Sequence, residues 1–234
     1  MELNTVINRF GGRCIVGILT ALVISMPAAA QVSNGEAVSG LKEALTRGAE
    51  VAVSQLGKTD GFLGNDKVRI PLPGALEDAA EMMKKFGAGK QADQLVETMN
   101  RAAEAAVVEA KPLLVKAVKE MSVKDAQSIL SGGDDAATQY FKRSTSEPLA
   151  QKFLPIVKKA TAKVQLADKY NQFAGKAAKF HLIDAKDANL DDYVTRKALD
   201  GLYLIIAEQE KAIRKDPIGT GSKVIGKVFG SLLK

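Results

Sequence analysis

An alanine-rich stretch in the middle of the chain, residues 90–121, has apolar residues at intervals of three and four positions. This spacing places them on one side of an α-helix. They are Leu95, Met99, Ala102, Ala106, Ala110, Leu113 and Ala117. Pro112 predicts a kink or a division, because proline lacks the amide hydrogen that an intrahelical hydrogen bond needs. The stretch therefore predicts a central helix against which other helices pack closely.

Helical spacing recurs along the rest of the chain, and no strand-like alternation of useful length interrupts it. The pattern predicts helices over residues 36–56, 75–86, 122–130, 136–142, 155–180 and 190–215, and an amphipathic helix within 218–234. Pro148 and Pro155 are expected to begin new segments, since a helix tolerates proline in its first turn. Asp134 and Asp135 are expected to cap the helix that follows them.

These segments predict an all-α fold, a single compact domain of about eight helices. Residues 95–114 and 190–213 are expected at its centre, because the second of these has apolar residues on more than one side. No linker is long enough to separate two domains. We therefore expect the helical domain over 31–217 and the C-terminal helix over 218–234 to belong together.

One long extended loop, residues 58–74, interrupts the helical pattern. Pro71 and Pro73 exclude a helix here, because proline pushes the residue before it into an extended conformation. Apolar anchors in the loop include Phe62, Ile70 and Leu72. A loop of this length in a helical domain is either functional or a cover over the core. We expect it to lie across one side of the helices.

Residues 1–30 have the pattern of a cleavable signal peptide. Arg9 and Arg13 precede an apolar run over 14–26, and three alanines end at Ala30, where cleavage is expected. The run is shorter than the roughly 20 residues that a membrane-spanning helix needs. We therefore predict a periplasmic or secreted protein with no transmembrane span after cleavage. Cys14 is the chain's one cysteine, so the mature chain has no thiol for disulfides, catalysis or zinc.

Composition excludes several classes of function. The formal net charge is +6, with acids and bases interspersed, which is typical of a soluble surface. There is no tryptophan, and the aromatics are not interleaved with arginines, so no nucleic-acid role is expected. His181 is the only histidine, which leaves no pair of histidines for a metal and no Ser-His-Asp triad in a recognisable setting. We predict no metal and no cofactor.

Two groups of residues are candidate binding sites. The first is a polar pocket in which Asn100, Arg101 and Glu104 lie under the long loop. A buried arginine needs a partner, and Glu104 is within reach along a helix. The loop would contribute Asp60, Phe62 and Asn65. The alternative is an exposed ladder of charges on a solvated helix face.

The second candidate is a surface on the C-terminal helix, for an unknown envelope protein or a lipid surface. This segment is apolar and basic and contains no acid, a pattern typical of helices that lie on anionic membranes or on partner proteins. The candidate residues are Lys223, Val224, Lys227, Val228, Phe229 and Leu232. The alternative is that the helix packs back on its own domain.

The leading hypothesis for function is an exported, non-catalytic protein that binds an envelope partner or a ligand. One alternative is a hydrolase that uses carboxylates among Asp60, Glu104 and Asp134, which requires two differently tuned acids in one cleft. Another is a carrier of apolar ligands, which requires a cavity of several hundred Å³ between helices.

Several segments together resemble a known family. They are LKEAL, DGF followed by IPLP, MNRAAEAA, DAQSILSGGDDAATQYF, YVTRKALDGLY and AEQEKAIRKDP, and they extend from residue 41 to the C-terminal region. In this order they are similar to the bacterial domain of unknown function 4197. The resemblance implies an exported helical protein of diderm bacteria. It implies no reaction and no catalytic residues.

Overall fold

A computed structural model describes residues 33–85, 89–180, 183–217, 219 and 222–232, and these residues form helices without any strand. The α-helices are α1 (Asn34–Leu56), α2 (Gly74–Lys85), α3 (Gly89–Val107), α4 (Ala110–Glu120), α5 (Val123–Leu130), α6 (Ala136–Thr161), α7 (Gln165–Lys179), α8 (Leu190–Lys215) and α9 (Lys223–Leu232), with a 3-10 helix over Ala185–Asp187. They belong to one compact unit. The predicted all-α fold with one long loop is confirmed. The predicted signal peptide lies outside the described residues.

Several helices begin directly after a capping residue. Ser33 and Glu36 form a capping box at the start of α1, and Ser122 and Asp125 form another at α5. The side chain of Asn189 accepts hydrogen bonds from two amides in the first turn of α8. Each cap supplies acceptors for amides that have no partner inside the helix.

Proline has different effects in the two long helical regions. At Pro112 the predicted central helix is divided into α3 and α4, which are separated by a short break at residues 108–109. The predicted breaks at Pro148 and Pro155 are wrong, because α6 continues through both prolines. The carbonyls that lose a donor there belong to Ser144 and Gln151, which are exposed residues.

A buried stripe keeps α6 continuous. Its members are spaced four residues apart, so they share one side of the helix. They are Phe141, Thr145, Leu149, Phe153 and Val157. The helix then ends at Thr161, and α7 begins at Gln165, so the single helix predicted over 155–180 is also wrong.

The core lies where α3, α6 and α8 pack against one another, and α1 packs against α8, α4 and α9. The predicted centre included parts of α3 and α8 but missed α6. The side chains of Leu95, Met99, Phe153 and Leu202 are fully buried. Small residues permit the close approach: a Cβ built at Gly201 would lie 2.7 Å from a ring carbon of Phe62, in the long loop.

The C-terminal helix packs on α1. Ile225, Val228 and Phe229 are buried, and a Cβ built at Gly40 would lie 2.6 Å from Cγ2 of Val228. Lys227 Nζ lies 2.8 Å from a carboxylate oxygen of Glu36. The apolar side of α9 is therefore part of the core.

Candidate functional sites

The side-chain amide of Asn100, on α3, forms hydrogen bonds with both backbone polar groups of one residue in the long loop. Its side-chain oxygen accepts a hydrogen bond from the amide of Ile70 (2.8 Å), and its amide group donates to the carbonyl of Ile70 (2.9 Å). The same amide group donates to the carbonyl of Val96 (2.8 Å). Asn100 is fully buried, so these three bonds satisfy polar groups that water cannot reach.

Glu104, one turn further along α3, holds the start of the loop. Its Oε1 accepts from the amides of Phe62 (3.1 Å) and Leu63 (3.2 Å). Its Oε2 accepts from Arg101 Nη1 (2.8 Å), and Arg101 Nη2 donates to Asp60 Oδ1 (2.9 Å). Asp60 has a φ of 63°, in the left-handed region. The ion pairs hold this unusual turn next to α3.

The structure thus brings five of the six residues of the predicted polar pocket into one cluster: Asp60, Phe62, Asn100, Arg101 and Glu104. The sixth, Asn65, accepts from the amide of Lys67 in a turn of the loop. Asn100 and Glu104 are buried, and the bonds described above engage their side chains in holding the loop. As a ligand-binding site, the cluster remains a prediction.

The three acids considered for catalysis do not all lie in this cluster. Asp60 and Glu104 are bridged by Arg101, while Asp134 is an exposed residue in the turn before α6. The prediction that Asp134 and Asp135 cap α6 is wrong for Asp135, which is the N-cap residue but makes no side-chain cap bond. Glu210 of α8 accepts from the amides of Ala137 (3.0 Å) and Thr138 (2.9 Å) instead.

The C-terminal candidate surface is divided between core and solvent. Lys223, Val224 and Lys227 are exposed, whereas Val228 and Phe229 are buried. The side chain of Leu232 lies outside the described residues. Binding of an envelope protein or a lipid surface at α9 therefore remains a prediction for its exposed residues.

A groove between α6 and α8 was not predicted from the sequence. Its volume is about 490 Å³, and it is open to solvent. Ala150, Leu154 and Leu199 form apolar walls, and the buried residues Thr195 and Tyr203 lie at its floor. Its rim contains charged and amide groups from both helices: Lys142, Glu147, Gln151, Asp192, Arg196 and Asp200.

The hydroxyl group of Thr195 is unusual in this fold. Its Oγ1 is buried and has no hydrogen-bond partner, alone among the buried polar side-chain atoms of the described residues. Other helical hydroxyls, such as those of Thr98 and Thr145, donate to the carbonyl four residues before them. An unpaired buried hydroxyl costs about 1–3 kcal/mol of folding free energy, so Thr195 is a locally destabilising residue of α8.

Tyr203 gives the groove an aromatic floor with a fixed hydroxyl. Its oxygen lies 2.9 Å from Thr145 Oγ1 and 3.1 Å from Ser146 Oγ. Burial raises the pKa of the Tyr203 phenol above its ordinary value, so the group stays protonated at neutral pH. The Nζ atom of Lys142 lies 5.9 Å from the centre of the ring. This is the geometry of a cation–π contact.

Comparison with known proteins identifies the family. A family model described as Protein of unknown function (DUF4197) matches residues 31–230. The chain belongs to the DUF4197 family. No curated protein and no solved structure matches this DUF4197 chain.

Two further observations concern the described part of this DUF4197 protein. No helix in it has the length and hydropathy needed to cross a membrane. Within the same ranges, no group of three or more histidine, cysteine, aspartate or glutamate side chains could hold a metal ion.

The groove could have been recognised only in part from the sequence. On α8, the lining residues recur at three- and four-residue spacings from Asp192 to Tyr203, which marks one side of that helix. On α6, the predicted break before Pro148 concealed the matching stripe from Lys142 to Leu154. The pairing of these two sides is a tertiary contact that no local pattern predicts.

Proposed function

We propose that this DUF4197 protein is an exported, non-catalytic binding protein whose ligand occupies the groove between α6 and α8. The observation that carries the proposal is the unpaired, buried hydroxyl of Thr195 in a groove of about 490 Å³. Small-molecule sites typically have volumes of roughly 300–1,000 Å³, apolar walls and a few polar groups that fix orientation. The groove has each of these features.

A binding role without catalysis accounts for the groups at the floor. The hydroxyl of Ser146 donates to the carbonyl of Lys142 (2.7 Å), so no base activates it as a nucleophile. The hydroxyl of Tyr203 is fixed by its contacts with Thr145 and Ser146. These groups orient a ligand, and the apolar walls supply the favourable burial.

Export is supported by the sequence before the described domain. The basic start, the apolar run over 14–26 and the alanines before residue 31 have the order of a signal peptide. The family match begins at residue 31, directly after the proposed cleavage site. The cysteine-free mature chain suits either redox environment, because its folding requires no disulfide.

Mass spectrometry of the native protein tests the groove. The wild-type protein purified from its own host should retain a small molecule, and the Thr195→Val variant should lose most of it, because valine keeps the shape but removes the hydroxyl. Thr161→Val is the matched control, since Thr161 pairs with Asp191 (2.5 Å) and does not line the groove. The proposed ligand site would be contradicted if the wild-type protein contained no bound molecule. It would also be contradicted if the Thr195→Val variant retained the bound molecule unchanged.

Cell fractionation tests export independently. We expect the protein in the periplasmic or extracellular fraction, with an N-terminus at Gln31. Substitution of Ala28 and Ala30 by leucine should block processing and leave the longer chain, because cleavage requires small residues at these positions. A cytosolic protein that keeps residues 1–30 would contradict export without affecting the proposal for the groove.

A further inference from the structure

The rim of the groove has three acidic and two basic side chains, a formal charge of −1, although the protein as a whole is basic. We propose that the ligand is an organic cation, an ammonium group joined to an apolar body. This inference rests on the proposed binding function of the groove. It assigns the ammonium group to the acidic rim and the ring of Tyr203, and the apolar body to the walls.

The charges of the rim favour a cation. Glu147, Asp192 and Asp200 each carry a carboxylate, and among the described side chains no ion pair neutralises any of them. Of the two basic residues, Arg196 is paired with Asp187 at 2.5 Å, so its charge is already compensated. With Arg196 compensated, the three carboxylates of the rim face the single uncompensated ammonium group of Lys142, and this excess of negative charge favours a cation.

The aromatic floor provides a second contact for a positive charge. The Nζ atom of Lys142 lies 5.9 Å from the centre of the Tyr203 ring, so this ring already contacts a positive charge. An organic ammonium ion is attracted to the same electron-rich face. Lys142 therefore occupies the place of the ligand's charge and must move aside when the ligand binds. It also repels that charge, so its removal should strengthen binding.

The rest of the floor accommodates the ligand's body. Ala150, Leu154 and Leu199 bury apolar atoms, and Thr195 adds its unpaired hydroxyl. Oγ1 of Thr195 is covered in this conformation, so it reaches the ligand only after a rotation about χ1. An ammonium or hydroxyl group of the ligand would then donate a hydrogen bond to Oγ1.

Three probes with the same alkyl chain test the inference: octylammonium, octanoate and octan-1-ol. Calorimetry at neutral pH measures each affinity, and amide chemical shifts locate each probe. We expect octylammonium to shift amides of α6 and α8 and to bind about tenfold more tightly than octanoate, as several exposed charges acting together allow.

Substitutions at the rim make the test specific. Asp192→Asn with Asp200→Asn should remove the preference for octylammonium, and both residues are exposed, so folding should not suffer. Lys142→Met should increase the affinity for octylammonium severalfold, which a merely structural lysine would not do. Glu109→Gln, an exposed acid outside the groove, is the matched control and should change neither affinity.

The outcomes separate the class of ligand from the function of the groove. Equal or tighter binding of octanoate or octan-1-ol at α6 and α8 would overturn the assignment of a cation and would leave the groove as a binding site. If no probe shifts amides of α6 and α8 and the native protein contains no bound molecule, both proposals fail.

Discussion

The buried threonine hydroxyl groups of this protein differ in their hydrogen bonding. Thr161 donates to a carboxylate oxygen of Asp191 at 2.5 Å, and Thr145 donates to the carbonyl of Phe141 at 2.7 Å. Thr195 is also buried, but its hydroxyl has no partner. A buried polar group without a partner is destabilising, so replacement by valine should stabilise the protein at Thr195. The same replacement at Thr145 or Thr161 should destabilise it, because a hydrogen bond is lost.

Thr195→Val should raise the free energy of unfolding by about 1 kcal/mol, since it replaces an unsatisfied hydroxyl by a methyl group of the same shape. Urea denaturation followed by circular dichroism measures this change. Thr161→Val is the control and should lower the free energy of unfolding by about 1–2 kcal/mol, because Asp191 loses a donor. A loss of stability in Thr195→Val comparable to that in the control would mean that the hydroxyl has a partner.

Asn100 is the residue on which the position of the long loop depends most. Asn100→Leu should lower the free energy of unfolding by about 3 kcal/mol or more, because it leaves both backbone groups of Ile70 buried without partners. Hydrogen exchange should become faster over residues 60–72. Asn65→Ala is a control in the same loop and should cost less than about 1 kcal/mol, since Asn65 is only partly buried and bonds one amide. Equal effects of the two variants would contradict this role for Asn100.

Among the helices, α9 shows how one element is attached to the rest. It has four glycines in or near it, which weaken a helix in isolation, yet its apolar side is buried against α1. Gly40 of α1 permits this contact, because Val228 occupies the space that a side chain would fill. The pair of Lys227 and Glu36 closes the outer edge of the same interface.

Gly40→Ala should lower the free energy of unfolding by about 1–3 kcal/mol, as added atoms do in a tightly packed interface. Gly35→Ala is the matched control in the same helix. Nothing lies within 4 Å of a Cβ at Gly35, so better helix propensity should stabilise this variant by about 0.5 kcal/mol. Thermal unfolding of both variants measures the difference. Stabilisation of both would show that α9 does not press on Gly40.

The stability that this interface contributes should depend on pH. The hydrogen bond from Lys227, with those from Ser33, lowers the pKa of Glu36 from 4.5 to about 2. Because the pKa is lower in the folded state, the stabilisation is complete above pH 4.5 and is lost as the pH falls toward 2. Urea midpoints between pH 6 and 2 should therefore decrease more for the wild type than for Glu36→Gln. Parallel curves of urea midpoint against pH for the two proteins would contradict the lowered pKa of Glu36.

At the scale of the whole molecule, stability should not be uniform. The core of α3, α6 and α8 contains many of the largest fully buried side chains, while α9 is attached through one side only. Contacts of Asn100, Glu104 and Tyr193 bind the long loop to this core. Regions with few buried contacts open by local fluctuation, whereas the core opens only on global unfolding.

Native-state hydrogen exchange should therefore show the slowest amides in α3, α6 and α8, with exchange free energies equal to the global value. Amides of α9 should exchange through an opening of lower free energy, and Gly40→Ala should lower that value further. Gly35→Ala serves as the comparison, because it leaves the interface unchanged. Protection of α9 equal to that of α6 would contradict this order.

The sequence by itself determined most of the elements. The capping boxes at Ser33 and Ser122, the cap at Asn189 and the division near Pro112 depend on residues within a few positions of one another. The loop also followed from local chemistry, since Pro71 and Pro73 exclude a helix. Helical spacing alone places the side chains of Asn100, Arg101 and Glu104 near one another, but it left open whether they lie under that loop or on a solvated face.

Only the tertiary structure decided which helices stay whole and where a ligand can bind. The helix α6 continues through Pro148 and Pro155 because its buried stripe packs against α3 and α8, and this gain offsets two lost hydrogen bonds. Its N-terminus is capped by Glu210, which is 72 positions from Thr138 in the chain. The groove likewise exists only where two distant stripes meet. Local patterns fix local conformation, but contacts between distant residues depend on how the whole chain packs.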